Sequence, residues 1–361
     1  MWRARLGGAA ASAPVVAADG GLYVGDREGG VWLLDAATGA VLHRRRTPAI
    51  AEASPTWALV QAGLVAPDRV PVSAAPAISE WHLFVGDDEG TFSCLRRGDA
   101  DALWRKAAPL DLAARQGWTY RAPFVADGAV VTVDAGGSLH VADGRHGTTR
   151  FALFLRDRPA AAPALQGERR VCVALAPRRA GETAQVVTVD LATGERGWHR
   201  ELPGAPGPAL AATRAHVLVG GDFGLLALAA ADGATAWHAA GGVVTGGLAV
   251  AGAEPEGGTV VAVTAGGLAA FDLATGALRW RGAGRRGAPP LAGTSPCVAG
   301  DVVWTAAAGA VVAWSLDDGE ALGRARHAGV AVDGPVVAGA DPGLLFVATD
   351  RGEVLAFRRA P

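Results

Sequence analysis

Ala270-Phe271-Asp272-Leu273-Ala274-Thr275-Gly276-Ala277-Leu278-Arg279-Trp280 reads as the end of one β-strand, a tight corner and the start of the next. The Thr-Gly pair makes the corner, where glycine accepts positive φ at little cost. Asp272, four residues before that glycine, is placed to accept backbone N–H bonds across it. An aromatic stands four residues after the glycine. The same order returns at Val187-Thr188-Val189-Asp190-Leu191-Ala192-Thr193-Gly194-Glu195-Arg196-Gly197-Trp198. Asp232-Gly233 leads to Trp237, His146-Gly147 to Phe151, Thr38-Gly39 to His43 and Asp318-Gly319 to Gly323, while Asp99-Ala100 leads to Trp104 without the glycine. The phase positions 43, 104, 151, 198, 237, 280 and 323 are 61, 47, 47, 39, 43 and 43 residues apart. Asp35, Asp143, Asp190 and Asp272 share one place in this unit, which makes them turn formers rather than catalytic acids.

A second marker keeps the same period. A proline with small residues before it and an apolar residue after it falls at Pro14, Pro76, Pro123, Pro163, Pro208, Pro296 and Pro335, with Gly247 in its place once. Counting head to tail puts Trp2 in phase as an eighth aromatic. Between markers the chain reads as four short strands, with runs such as Leu22-Tyr23-Val24 and Val31-Trp32-Leu33-Leu34 separated by Asp26-Arg27-Glu28-Gly29. Four strands every 40 to 47 residues is the spacing of a propeller blade. The predicted fold is all-β: an eight-bladed β-propeller with four antiparallel strands per blade. The chain ends on a third strand, so Trp2 to Leu6 is expected to be the fourth strand of the blade holding Leu344 to Phe357. One domain over residues 1–361 is expected, with a long insertion between blades at 48–72.

The strand–corner–strand segments resemble the tryptophan-docking motif of PQQ-like, quinoprotein-type propeller repeats, a family that includes quinoprotein alcohol dehydrogenases and BamB-like assembly lipoproteins. The resemblance covers nearly the whole chain as eight degenerate copies. It implies a tryptophan packed between neighbouring blades, with weakened docking where His43, Ala100 and Gly323 depart from the pattern. The enzymes of this family carry two adjacent cysteines against the quinone and Glu/Asn/Asp calcium ligands. The cysteines of this chain, Cys94, Cys172 and Cys297, lie far apart in apolar runs, and no CxxCH haem site or comparable ligand cluster accompanies them. No cofactor is therefore expected, and fold alone does not assign an activity.

Composition narrows the classes further. The 361 residues are 50% hydrophobic and 19% charged, with formal net charge −2. That is too apolar for a disordered chain and too weakly charged for a nucleic-acid binder. The 51 glycines lack a three-residue period, so collagen is excluded. No stretch has the sustained hydrophobicity of a membrane helix. Met1 to Arg5 is basic and Ala11-Ser12-Ala13 resembles a cleavage site, but Leu6 to Ala10 is a poor signal core. Free cysteines and this weak leader point to the cytoplasm; export with a leader already removed is the alternative.

The eight histidines are spread over different blades and are expected not to converge. A site is sought instead where the links between blades break the repeat. The 48–72 insertion carries Trp57, and the next link carries Trp118, Tyr120 and Arg121. Arg121 stands two residues before the opening proline, where the other links have Ser12, Ala74, Ala161, Pro206, Thr245, Thr294 and Asp333. Arg285 and Arg286 add charge before the seventh blade. Aromatics and arginines dominate binding hot spots. The expected function is a non-enzymatic scaffold or protein-interaction subunit of a larger assembly, its partner bound by Trp57, Trp118, Tyr120, Arg121, Arg285, Arg286 and Asp333. The alternative is a quinone-cofactor oxidoreductase or small-ligand sensor using the axial funnel.

Overall fold

A computed structural model describes residues 1–46, 61–63, 70–107, 121–240, 242–252, 257–282, 291, 293–307, 309–329, 336–339, 341 and 343–358. The described strands form eight antiparallel sheets, all but one of them running in sequence order from an inner to an outer strand. This is the expected eight-bladed propeller. Blade 1 spans residues 15–46, blade 2 77–107, blade 3 124–154, blade 4 158–201, blade 5 206–239, blade 6 244–281 and blade 7 297–326. Blade 8 spans 337–358 and takes its outer strand, Trp2–Arg5, from the N-terminus. Trp2 faces Ala356 and Arg5 faces Glu353 in register, and Leu6 N–H bonds to Gly352 O at 2.7 Å. Blade 4 departs from the plain pattern. Its inner strand is split into Arg158–Pro159 and Ala164–Gln166, both paired with Arg170–Ala176.

The chain divides into two compact units, one of blades 8, 1, 2 and 3 and one of blades 4 to 7. In each, the second and third strands are continuous Val/Leu/Ala runs because both of their faces are buried. Val171 to Leu175 and Val260 to Val263 have essentially no exposed surface. Outer strands read differently. Val41–Arg46 is almost wholly exposed, as the edge of a sheet must be where nothing covers it.

Within the units one contact repeats five times. The indoles of Trp2, Trp104, Trp198, Trp237 and Trp280 each lie on the corner glycine of the following blade: Gly39, Gly147, Gly233, Gly276 and Gly319. Each indole N–H also donates to the carbonyl three residues before that glycine. The acceptors are Ala36 (2.9 Å), Gly144 (3.0 Å), Ala230 (3.0 Å), Leu273 (3.0 Å) and Leu316 (2.7 Å). The aromatic phase in the sequence is therefore a latch between blades. Apolar clusters underlie it, such as Leu218, Leu225 and Trp237 with Val260, Ala269 and Phe271.

The latch from blade 1 to blade 2 is lost on both sides together. His43 replaces the indole, and Ala100 holds the corner in a left-handed conformation at φ 57°. The carbonyl three residues before that corner, Arg97 O, is bonded instead by the Tyr23 hydroxyl of blade 1 at 3.1 Å.

Candidate functional site

The turns joining second and third strands lie at the same strand ends as the links between blades. In blades 1 to 3 these turns share Asp-x-x-Gly: Asp26 to Gly29, Asp87 to Gly90 and Asp134 to Gly137. Each aspartate is buried and accepts backbone N–H bonds that close its own turn. Asp26 takes Glu28 N–H at 2.8 Å and Gly30 N–H at 2.6 Å; Asp87 takes Glu89 N–H at 3.1 Å and Thr91 N–H at 2.8 Å; Asp134 takes Ser138 N–H at 2.9 Å.

The second carboxylate oxygen tells the three turns apart. Six residues on, Trp32 donates to Asp26 at 2.7 Å and His140 Nε2 lies 2.8 Å from Asp134. Ser93 occupies that place in blade 2 and makes no such bond. A cavity of about 10 Å³ opens there, lined by Asp87, Thr91, Ser93, Arg45, Arg46 and Arg105 among others. That is room for one water molecule. Burial pushes the Asp87 carboxyl up to about 7, against the pull of its two backbone donors. Neighbouring Asp88 is also raised by burial, although Ser73 Oγ donates to it at 2.7 Å. The end of the 48–72 insertion is clamped at these turns, because Val72 N–H bonds to Asp26 O at 3.1 Å and Asp88 N–H to Pro71 O at 3.0 Å.

Arg121 belongs to the same set of strand ends. Its N–H bonds to Val133 O at 2.9 Å, and its carbonyl accepts the Thr132 hydroxyl at 3.0 Å. In blade 1, Ser12 is held by the matching strand end, where its Oγ accepts Gly25 N–H at 2.8 Å. The backbone at Arg121 is thus fixed one residue from the Asp134 turn. Its side chain is exposed, yet crowded enough that desolvation lowers its pKa. Trp57, Trp118, Tyr120, Arg285, Arg286 and Asp333 lie outside the described residues.

The corner aspartates act as expected. Asp35 accepts Thr38 N–H at 2.7 Å, Asp143 accepts His146 N–H at 2.8 Å, Asp190 accepts Thr193 N–H at 3.0 Å and Asp272 accepts Thr275 N–H at 2.9 Å. Hydrogen bonds from Arg279 and Thr275 hold the Asp272 carboxyl at about 2. His199 and His238, from blades 4 and 5, line one open groove with Arg200, Glu201 and Thr235, since outer strands of adjacent blades run side by side. His238 Nε2 is already bonded to Phe223 O at 2.8 Å. Among the described residues, no three His, Cys, Asp or Glu side chains converge as a metal site.

The quinone site that the resemblance implies does not fit the described residues. Cys94, Cys172 and Cys297 are free thiols in three different blades, and burial pushes Cys94 and Cys172 up to about 12, far from a reactive thiolate. Sequence reading found the Asp26–Gly29 turn but not that its aspartate, like Asp87 and Asp134, is buried. Their signal was present as a second recurring spacing within the chain, three residues from aspartate to glycine.

Comparisons with known proteins bear on the whole arrangement. BamB from Moraxella catarrhalis superposes with a TM-score of 0.71 at 15% identity, over 99% of both chains. A computationally designed protein, Ika8, does so with a TM-score of 0.70 at 15% identity, again over 99% of both. The quinohemoprotein alcohol dehydrogenase ADHIIG from Pseudomonas putida HK5 matches all of this chain and 76% of its own, with a TM-score of 0.66 at 13% identity. At such identities the likeness concerns the fold. No curated protein matches the chain by sequence. The family described as outer membrane protein assembly factor BamB matches residues 56–207 and 158–361. With its repeat phase, its latches and that match over most of its length, the chain belongs to this BamB-type family of PQQ-like propellers.

Proposed function

We propose that the protein is a non-enzymatic scaffold, one subunit of a larger assembly, that holds a protein partner at the strand ends carrying the inter-blade links. The observation that supports this reading is the use of titratable side chains there. Asp26, Asp87 and Asp134 are turned inward to close backbone turns, while Arg121 is exposed on a backbone fixed at both its N–H and its carbonyl. An arginine carried on a fixed backbone suits recognition, because the link itself need not be ordered when it binds. Acid–base or nucleophilic chemistry would need groups turned toward a substrate. The link residues Trp57, Trp118, Tyr120, Arg285, Arg286 and Asp333 complete the proposed surface. The free thiols support a place in the cytoplasm, and cell fractionation tests that part.

Affinity capture with the whole chain, followed by mass spectrometry, tests the reading. The same partner should be retained by wild type and lost with Trp118→Ala and Arg121→Ala, while melting temperature stays within a degree or two. Unchanged capture by both variants would remove these residues from the surface. The oxidoreductase reading is tested by adding PQQ with calcium. A ligand at a hundredfold excess over its dissociation constant stabilises the native state by about 2.7 kcal/mol. A saturable rise in melting temperature would replace the scaffold with a quinone-binding protein.

A further inference from the structure

Blade 7 receives a latch from Trp280 but sends none onward. Its outer strand, Ala321–Arg326, has Gly323 where other blades have an aromatic, and a side chain there would meet nothing within 4 Å. In chain order the next blade is blade 8, whose third and fourth strands are joined by no turn, so it offers no corner glycine for an indole. Side chains alternate along a strand. Ala321 and Ala325 are half-buried, Ala321 against the Val303 and Trp314 core. A bulge at Leu322 interrupts that alternation, with Ala321 opposite Trp314 and Gly323 opposite Ala313; beyond it Arg324 and Arg326, opposite Val312 and Ala310, share one side, and Leu322, Arg324 and Arg326 are exposed, Leu322 to 55%. Among the described residues, Arg324 and Arg326 have no hydrogen-bond or ion-pair partner. No strand pairs with the outer side of Ala321–Arg326 among the described residues.

The outer strand of blade 1 repeats the spacing as Leu42, Arg44 and Arg46 but uses its cations internally. The Arg44 guanidinium lies 4.5 Å over the Trp32 ring, and neighbouring Arg45 bonds to Asp101 at 3.0 Å. In blade 7 the same pattern is uncommitted.

We propose that Ala321–Arg326 is a docking edge that takes an extended acidic segment of a partner protein as a fifth strand. An edge strand presents backbone N–H and C=O groups outward, and these supply affinity by strand addition. Arg324 and Arg326 are about 7 Å apart on one side, the repeat of alternate residues in a strand, so carboxylates two residues apart would meet them. A second copy of this chain is disfavoured at the edge, since like charges opposite each other in a sheet repel. The edge shares no residue with the surface proposed at Arg121.

A fluorescein-labelled dodecapeptide alternating glutamate with valine probes the edge. The expected result is saturable binding by anisotropy that weakens as salt rises, with slowed amide hydrogen exchange confined to residues 321–326. The double variant Arg324→Glu, Arg326→Glu should bind at least tenfold more weakly at unchanged melting temperature, and Arg105→Glu on another outer strand should bind as wild type. A peptide of equal charge with proline at alternate positions cannot add as a strand and should also bind at least tenfold more weakly. No binding, or no protection at 321–326, overturns the proposal. Equal binding of the proline peptide, or an equal effect of Arg105→Glu, overturns it in favour of diffuse attraction. Phosphatidylglycerol vesicles or a single-stranded oligonucleotide that competes at Arg324 and Arg326 more strongly than the peptide would assign the edge to a different ligand.

Discussion

The Trp237 indole lies so close over Gly276 that a Cβ added to the glycine would come 2.5 Å from ring atom Cε3, while the indole N–H bonds to Leu273 O at 3.0 Å. The glycine is required twice. Its φ is +70°, and the ring occupies the space a side chain would take. Gly276→Ala should therefore cost about 2–4 kcal/mol, from the left-handed backbone and from overpacking together. Urea denaturation measures it. A loss below 1 kcal/mol would mean that the indole moves aside cheaply and that the latch contributes little.

The N-terminal strand is held by the same device. Trp2 lies on Gly39, donates to Ala36 O and meets the Phe346 ring at 5.7 Å, while Arg3 pairs with Glu353. Trp2→Ala should destabilise by about 2–4 kcal/mol, somewhat under the roughly 3–5 kcal/mol of a fully buried aromatic, because Trp2 is half-buried. Removing residues 1–6 should cost more, since it also exposes the edge of Glu353–Arg358. Aggregation of the truncated chain, followed by light scattering, is the expected outcome. A truncated chain as stable as the full one would detach the strand from any structural role.

Tyr23 replaces the missing latch between blades 1 and 2. Its hydroxyl donates to Arg97 O at 3.1 Å, and desolvation raises its pKa, keeping it a donor. Tyr23→Phe should cost about 1–2 kcal/mol, the penalty for leaving a shielded carbonyl without its donor. Adding His43→Trp and Ala100→Gly should recover part of that loss, and should recover less in the wild-type background where Tyr23 already holds the carbonyl. Thermal unfolding of the four combinations gives the coupling. Strict additivity would show that the two devices do not share the carbonyl.

Asp87 predicts a pH dependence of opposite sign to that of an ion-paired carboxylate. Its folded pKa, raised by burial to about 7, lies above the unfolded value of 3.8. Folded protein thus binds the proton more tightly, and stability is lost as pH rises from about 4 through 7. Asp87→Asn keeps an acceptor for Glu89 and Thr91 N–H and carries no charge. It should be more stable than wild type at pH 8 by roughly 2–4 kcal/mol, since each tenfold difference in proton affinity between folded and unfolded protein is worth about 1.36 kcal/mol. The difference should shrink toward zero by about pH 4. A variant less stable than wild type at pH 8 would show that the charged form is well solvated in its cavity.

Asp26 gives the contrasting case. Glu28 N–H, Gly30 N–H and Trp32 Nε1–H all point at its two oxygens. Asn would aim its NH2 at one of these donors, so Asp26→Asn should destabilise by about 1–3 kcal/mol at neutral pH. A neutral or stabilising effect, measured in the same denaturant series, would dissolve the distinction between the two turns.

Sequence alone determined the number of blades, the strand order within each and the place of the N-terminal strand. A repeat imposes the same local rules many times, so the positive-φ glycine, the corner aspartate and the aromatic four residues on can be recognised even where single copies decay. It also determined that Asp35, Asp143, Asp190 and Asp272 serve turns, because their phase is the phase of the corner. Tertiary structure decided what becomes of decayed copies. That His43 and Ala100 are two halves of one lost latch, with Tyr23 bonded to the orphaned carbonyl, joins residues from different blades and has no local signature. The different environments of Asp26, Asp87 and Asp134 were likewise hidden, since each has the same turn in sequence and differs only in what reaches its second oxygen. The same holds for the outer strands of blades 1 and 7. Leu-x-Arg-x-Arg reads alike in both, but Trp32 engages Arg44 of the first, and Arg324 and Arg326 of the second have no such partner among the described residues, because charge is satisfied by neighbours in space.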